Sequence, residues 1–186
     1  MLLLVKHAAP AIDPAKPAAT WPLSEAGRLA CADLASFLLP LDIEHIVSSD
    51  EPKAMETARL VAMRLGVESS AVAGLCEQRR LTAPFFETPT AFRAAVARAL
   101  ANPETLVLGE ETASEACDRF ARAVGSLIET WPHDGPICAV THGTVISLLV
   151  ESWCGVDALE TWDSLSLPSV VQIDLASRAL VGVYAF

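Results

Sequence analysis

The sequence predicts an α/β fold: a three-layer α/β/α sandwich with a mainly parallel central sheet, helices on both faces and a C-terminal hairpin. Three observations predict it. Short continuous apolar runs at 2–5 and 137–140 read as strands buried on both faces. Segments with apolar residues at helical spacing alternate with such runs, and this alternation builds a parallel sheet covered by helices. The tail, 170–175 and 179–183 around Ser177-Arg178, has the pattern of two strands joined by a turn.

The elements follow in order. Residues 2–5 form a first strand that ends at Lys6-His7-Ala8. Residues 9–22 hold four prolines and an Asp-Pro step, hence a loop, after which Ser24 offers an N-cap to a helix ending before Pro40. Residues 45–48 read as a second strand. After Ser48-Ser49-Asp50, the residues Ala54, Ala58, Val61, Ala62 and Leu65 recur at helical spacing, and Gly66 stops that helix. A short third strand is expected at 72–75, followed by a polar turn carrying Glu77, Arg79 and Arg80. A helix from near Thr90 presents Phe92, Val96 and Leu100 on one face and gives way at Asn102-Pro103 to a loop through Gly109. Thr112 and Glu115 have the spacing of a capping box for a helix striped by Ala116, Phe120, Val124, Leu127 and Ile128, closed by Trp131-Pro132. The strand at 137–140 ends at Thr141-His142-Gly143, and a helix runs from about Thr144 to Gly155. With no internal repeat, low-complexity tract or linker, residues 1–186 are expected to form one domain.

Composition excludes several functions. A chain of 186 residues that is 52% hydrophobic carries enough apolar surface to fold, which excludes intrinsic disorder. Thirteen Lys and Arg against 23 Asp and Glu leave a net charge of −10 with no basic run, so no nucleic-acid or anionic-membrane partner is expected. Lys6 and His7 cut the apolar start short of a secretory core, and no apolar run approaches a membrane span. The five cysteines are odd in number and form no Cys-x-x-Cys pair, which suits reduced thiols and a cytoplasmic location. Cys138 and His142, four residues apart on an extended strand, stand roughly 13 Å from each other, too far to share one metal ion.

Two strands end in a histidine followed by a small residue, His7-Ala8 and His142-Gly143. Ligands of open α/β sheets bind beyond the carboxyl ends of the strands, so both imidazoles fall where a site is expected. Gly143 and Thr144 open the helix after His142, whose N–H groups and positive end suit an anion. Lys6 and Lys53 add fixed positive charge for a phosphoryl group, and Glu77 adds a proton donor. Taken singly, each of these residues reads as structural or solvated; together at the mouths of consecutive strand-to-helix turns they read as a site. His45 and His133 are expected to be structural.

These motifs resemble the histidine phosphatase superfamily, the phosphoglycerate-mutase-like clan, over nearly the whole chain. Leu3-Leu4-Val5-Lys6-His7-Ala8 is similar to the family's strand ending in Arg-His-Gly, and Leu23-Ser24-Glu25-Ala26-Gly27 to its Leu-Thr-x-x-Gly helix start. The stretch from Val47 to Ala58 resembles Ser-Ser-x-x-x-Arg-Ala-x-x-Thr-Ala, and it is the most specific match. Leu75-Cys76-Glu77 resembles the Leu-x-Glu of the proton donor, Gly109-Glu110 the Gly-Glu before the late helix, and Val140-Thr141-His142-Gly143 the second His-Gly. The resemblance implies that His7 attacks phosphorus and becomes phosphohistidine, that His142 stabilises the phosphoryl oxygens, and that Glu77 protonates the leaving oxygen. It places Lys6 and Lys53 at the family's two arginine positions and implies neither cofactor nor metal.

Departures from the pattern bear on activity. Lysine offers a point charge where the family has a planar fork. One charge-assisted hydrogen bond lost per site costs roughly 1.5 to 3 kcal/mol, enough to slow turnover. Ala8 replaces a glycine, and Arg79 and Arg80 read either as partial replacements for the missing guanidinium groups or as a solvated turn. The compact segment 82–109 favours hydrolysis over mutase transfer. The expected function is therefore a metal-independent phosphatase acting on a small phosphorylated metabolite or a phosphoprotein. The alternative is a weak or inactive relative that binds a phosphorylated ligand or partner. The loops 9–22 and 82–89 would select the leaving group.

Overall fold

A computed structural model describes residues 1–186. Its six strands are β1 (Leu2–Lys6), β2 (His45–Ser48), β3 (Glu68–Ala71), β4 (Ile137–Thr141), β5 (Ser169–Ile173) and β6 (Leu180–Ala185). They form one sheet in the order β3-β2-β4-β1-β5-β6. The pairings from β3 to β1 are parallel, and β5 and β6 run antiparallel as the terminal hairpin. The helices are α1 (Glu25–Leu38), α2 (Pro52–Leu65), α3 (Pro89–Ala101), α4 (Ala113–Thr130), α5 (Gly143–Cys154) and α6 (Ala158–Ser164).

Alternation along β1 assigns the layers, because successive side chains of a strand leave opposite faces. Leu2 and Leu4 pack against α4 and α5 through Phe120, Val124, Ile146 and Leu149. Leu3 and Val5 face α1 and α2 through Leu34, Leu38, Ala58 and Val61. A third, small cluster of Val96, Ala99 and Leu108 lies under α3 with Phe86, Phe92 and Trp162 packed against it. No helix is long and apolar enough to cross a membrane.

The caps explain where helices begin. Ser24 accepts a hydrogen bond from the Gly27 N–H at 3.0 Å, and Thr112 with Glu115 closes the expected capping box. Two expectations need correction. The third strand is β3, Glu68–Ala71, and not 72–75. It is a fully exposed edge whose Glu-Ser-Ser-Ala sequence has no apolar pattern, whereas Leu75 is buried in a loop with its carbonyl accepting from the Thr141 hydroxyl at 2.6 Å. In addition, α6 lies between Gly155 and the hairpin, where no helix was expected; Asp157 caps it by accepting from the Glu160 N–H at 2.8 Å.

Candidate active site

The site lies beyond the carboxyl ends of β1 and β4, which are neighbours in register, Lys6 opposite Thr141. The His7 N–H donates to the Thr141 carbonyl at 3.0 Å, extending the ladder by one residue and bringing His7 beside His142. The two rings meet edge to face with centroids 5.1 Å apart. His7 Nδ1 donates to the Ala8 carbonyl at 2.8 Å, an atom that can only accept, so this tautomer leaves the lone pair on Nε2. Burial, reinforced by the charge of Lys53, lowers the His7 pKa to about 3. His142 is held well below its ordinary value by burial, with His7 and Lys53 adding to the effect. Both imidazoles are neutral at neutral pH. His142 Nε2 lies 2.9 Å from Ser49 Oγ and 3.4 Å from Glu51 Oε1, while its Nδ1 has no hydrogen-bond partner.

Every residue expected in the site is brought to it. Lys53, in the first turn of α2, is 5% exposed and donates to the Ala18 carbonyl at 2.9 Å and to Glu51. Lys6 donates to the Leu165 carbonyl at 2.9 Å and lies 5.8 Å from the centre of the Trp162 ring. Burial lowers its pKa to about 8 against the opposing pull of Glu77. A side chain at Gly143 would place its Cβ 3.2 Å from Lys6 Cε, so the second His-Gly step also makes room for the first lysine. Glu77 accepts from the Thr144 N–H at 3.2 Å, which sets its carboxylate over the positive end of α5. The Thr144 hydroxyl is buried without a partner.

The structure separates Arg79 from Arg80. Arg79 is exposed, while Arg80 Nη2 lies 3.3 Å from Glu77 Oε2 and its guanidinium stacks 5.1 Å from the Phe92 ring centre. Its Nη1 is buried without a partner. Arg80, unlike Arg79, is therefore a third cation of the site.

Three further residues belong to the site's construction, and sequence reasoning assigned none of them a role. Glu51 accepts from Lys53 with one oxygen and from the Glu77 N–H, at 2.9 Å, with the other. The available signal was an acid at the N-cap of α2 that makes no cap bond there. Glu111 accepts from the Arg79 N–H at 3.0 Å and from Arg119 at 2.8 Å. Arg119 in turn donates to the carbonyls of Gly74, Cys76 and Glu77, bracing the loop that carries Glu77 and Arg80. The motif residue Glu110 instead accepts from the N–H groups of Leu81 and Thr82 at 2.8 and 2.7 Å. Phe92, with Phe86 tilted against it and Trp162 edge to face, forms an aromatic wall beside Arg80 and Lys6, and a second pair, Trp21 and Phe85, joins the two long loops with ring centres 6.4 Å apart. No three of the His, Cys, Asp and Glu side chains stand in an arrangement that could hold a metal ion.

The model of the histidine phosphatase superfamily (branch 1) matches residues 2–181. The chain belongs to this superfamily. Solved structures agree on the fold. A mycobacterial glucosyl-3-phosphoglycerate phosphatase is 20% identical, with a TM-score of 0.73 over 100% of this chain and 98% of that one. An Escherichia coli protein described as a putative α-ribazole-5′-P phosphatase is 21% identical, with a TM-score of 0.73 over 98% and 95%. A phosphoserine phosphatase from Entamoeba histolytica is 14% identical, with a TM-score of 0.70 over 98% and 95%. No curated protein sequence matches the chain. Within the superfamily fold, the two histidines, two lysines, Arg80 and Glu77 form a cationic pocket around two neutral imidazoles, His7 with its lone pair on Nε2, an arrangement suited to phosphoryl chemistry.

Proposed function

We propose that this histidine phosphatase superfamily member is a metal-independent phosphatase that hydrolyses a small phosphomonoester through a phosphohistidine on His7. The observation that carries the reading is the His7 ring, neutral and fixed by the Ala8 carbonyl with Nε2 unprotonated. That lone pair attacks phosphorus as the bond to the leaving oxygen breaks, and the Glu77 carboxyl donates its proton to that oxygen. Water then attacks the phosphohistidine, Glu77 takes its proton, the P–N bond breaks, and phosphate leaves with His7 regenerated. Lys6, Lys53, Arg80 and the N–H groups opening α5 would offset the negative charge of the phosphoryl oxygens. The activities for which the structural neighbours are named support a small phosphorylated metabolite as substrate.

A second reading, a relative that binds a phosphorylated ligand with little turnover, draws on one observation. Lys53 stands where the family has an arginine fork, and both Glu51 and the Ala18 carbonyl already engage it. Hydrolysis of an aryl phosphate in chelator, compared with the His7→Ala variant, decides between the two. Activity lost in the variant, with an acid-labile phosphoenzyme in the parent, supports the phosphatase. Phosphate binding without turnover in either protein supports the second reading.

A further inference from the structure

The site contains two carboxylates where the proposed chemistry uses one. Glu77 has a task in that reaction; Glu51 has none. Its side chain is only 11% exposed, yet it stands among charges that an arriving phosphoryl group would need. One oxygen holds Lys53, and the other accepts from the Glu77 N–H and lies 3.4 Å from His142 Nε2. Lys53 has three N–H donors, and Glu51 and the Ala18 carbonyl take two of them. The positive charge of the pocket comes from Lys6, Lys53 and Arg80, since both imidazoles are neutral. The Glu51 carboxylate beside Lys53 cancels one unit of the positive charge that would otherwise meet a phosphoryl dianion.

We infer that Glu51 is a specificity-determining residue, an internal counter-anion that an incoming phosphoryl group must displace from Lys53. The inference rests on the phosphatase reading for the position of the phosphoryl group, but its sign follows from the geometry around Lys53. A carboxylate fixed beside the binding cation repels a dianion as strongly as the cation attracts it at the same distance. Glu51 thus weakens phosphate binding, favours its release and penalises ligands that bring further negative charge to the pocket. The contact with the Glu77 N–H gives Glu51 an anchoring role as well, and a neutral amide oxygen can keep that hydrogen bond.

Calorimetric titration with inorganic phosphate tests this in the parent, Glu51→Gln and Glu51→Asp. The Gln variant is expected to bind phosphate about tenfold more tightly, and the Asp variant, which keeps the charge, to stay near the parent. A parent that binds no phosphate while the Gln variant does supports the same conclusion. Looser binding in both variants would make Glu51 a structural prop and overturn the inference, as would equal binding in all three proteins or binding in none. Glu51→Ala reads the same sign should the Gln variant not fold. Hydrolysis in the parent and in His7→Ala is scored separately: tighter phosphate binding by Glu51→Gln without turnover in the parent removes the phosphatase reading and leaves this inference standing.

Discussion

The edge-to-face contact of His7 with His142, centroids 5.1 Å apart, holds two neutral imidazoles in one buried pocket. Protonating either would place a cation beside Lys53 and Arg80, whose charges already lower both pKa values.

Stability should therefore depend on acid. The unfolded chain protonates histidine near pH 6.5, whereas folded His7 resists to about 3. Between those values the unfolded state binds more protons, so unfolding free energy rises with pH. This contribution is full above pH 6.5 and is lost as pH falls toward 3. For His7 alone it is on the order of 4 to 5 kcal/mol. Urea unfolding from pH 7 to 4 should show the decline, and His7→Asn should flatten it. A curve equally steep in the variant would assign the acid sensitivity to other groups.

Lys6 predicts the alkaline side of the activity profile. Burial brings its pKa down to about 8, so its charge is lost as pH rises through that value. Phosphoryl binding should weaken there, and kcat/KM should fall. Lys6→Arg keeps its charge across this range, because guanidinium does not deprotonate in proteins. The alkaline limb should then move upward by at least one pH unit; a limb that stays in place would assign it to another group.

The two His-bearing strand ends were legible in the sequence because buried parallel strands are continuous apolar runs that stop abruptly at polar residues. The capping box of α4 was legible because its chemistry is local. By contrast, β3 carries no pattern, since an exposed edge strand buries neither face. Helix α6, with seven residues, is too short for periodicity to register. Of two adjacent arginines, only the turn's conformation decides that Arg80 enters the site while Arg79 faces solvent. Glu51 and Glu111 drew no role from the sequence, because their partners Lys53, His142 and Arg119 meet them through the folded geometry.

Lys53→Arg should raise activity. With Ala18 and Glu51 satisfied, lysine has one N–H left for a ligand, whereas arginine brings five donors. A gain of one charge-assisted hydrogen bond in the transition state corresponds to roughly tenfold in kcat/KM. Steady-state kinetics on an aryl phosphate provide the measurement, and unchanged constants would count against a phosphate-binding role for residue 53.

Gly109 links a distant-looking loop to the site. It adopts a φ of +63°, and a Cβ there would stand 2.1 Å from Arg80 Cα and 2.6 Å from the Arg79 carbonyl oxygen. Both contacts are with backbone, so Gly109→Ala must move the turn that presents Arg80 beside Glu77. Gly66 provides the control, because its φ is +73° but a Cβ would meet nothing within 4 Å. Gly66→Ala should cost only the left-handed conformational penalty, about 1 to 2 kcal/mol, and leave kcat/KM intact. Gly109→Ala carries the same penalty plus the displacement, about 3 kcal/mol or more in total, and kcat/KM should drop at least tenfold even where the protein is fully folded. Thermal unfolding and kinetics on the two variants separate these effects. Full activity in folded Gly109→Ala would show that Arg80 does not need its observed position.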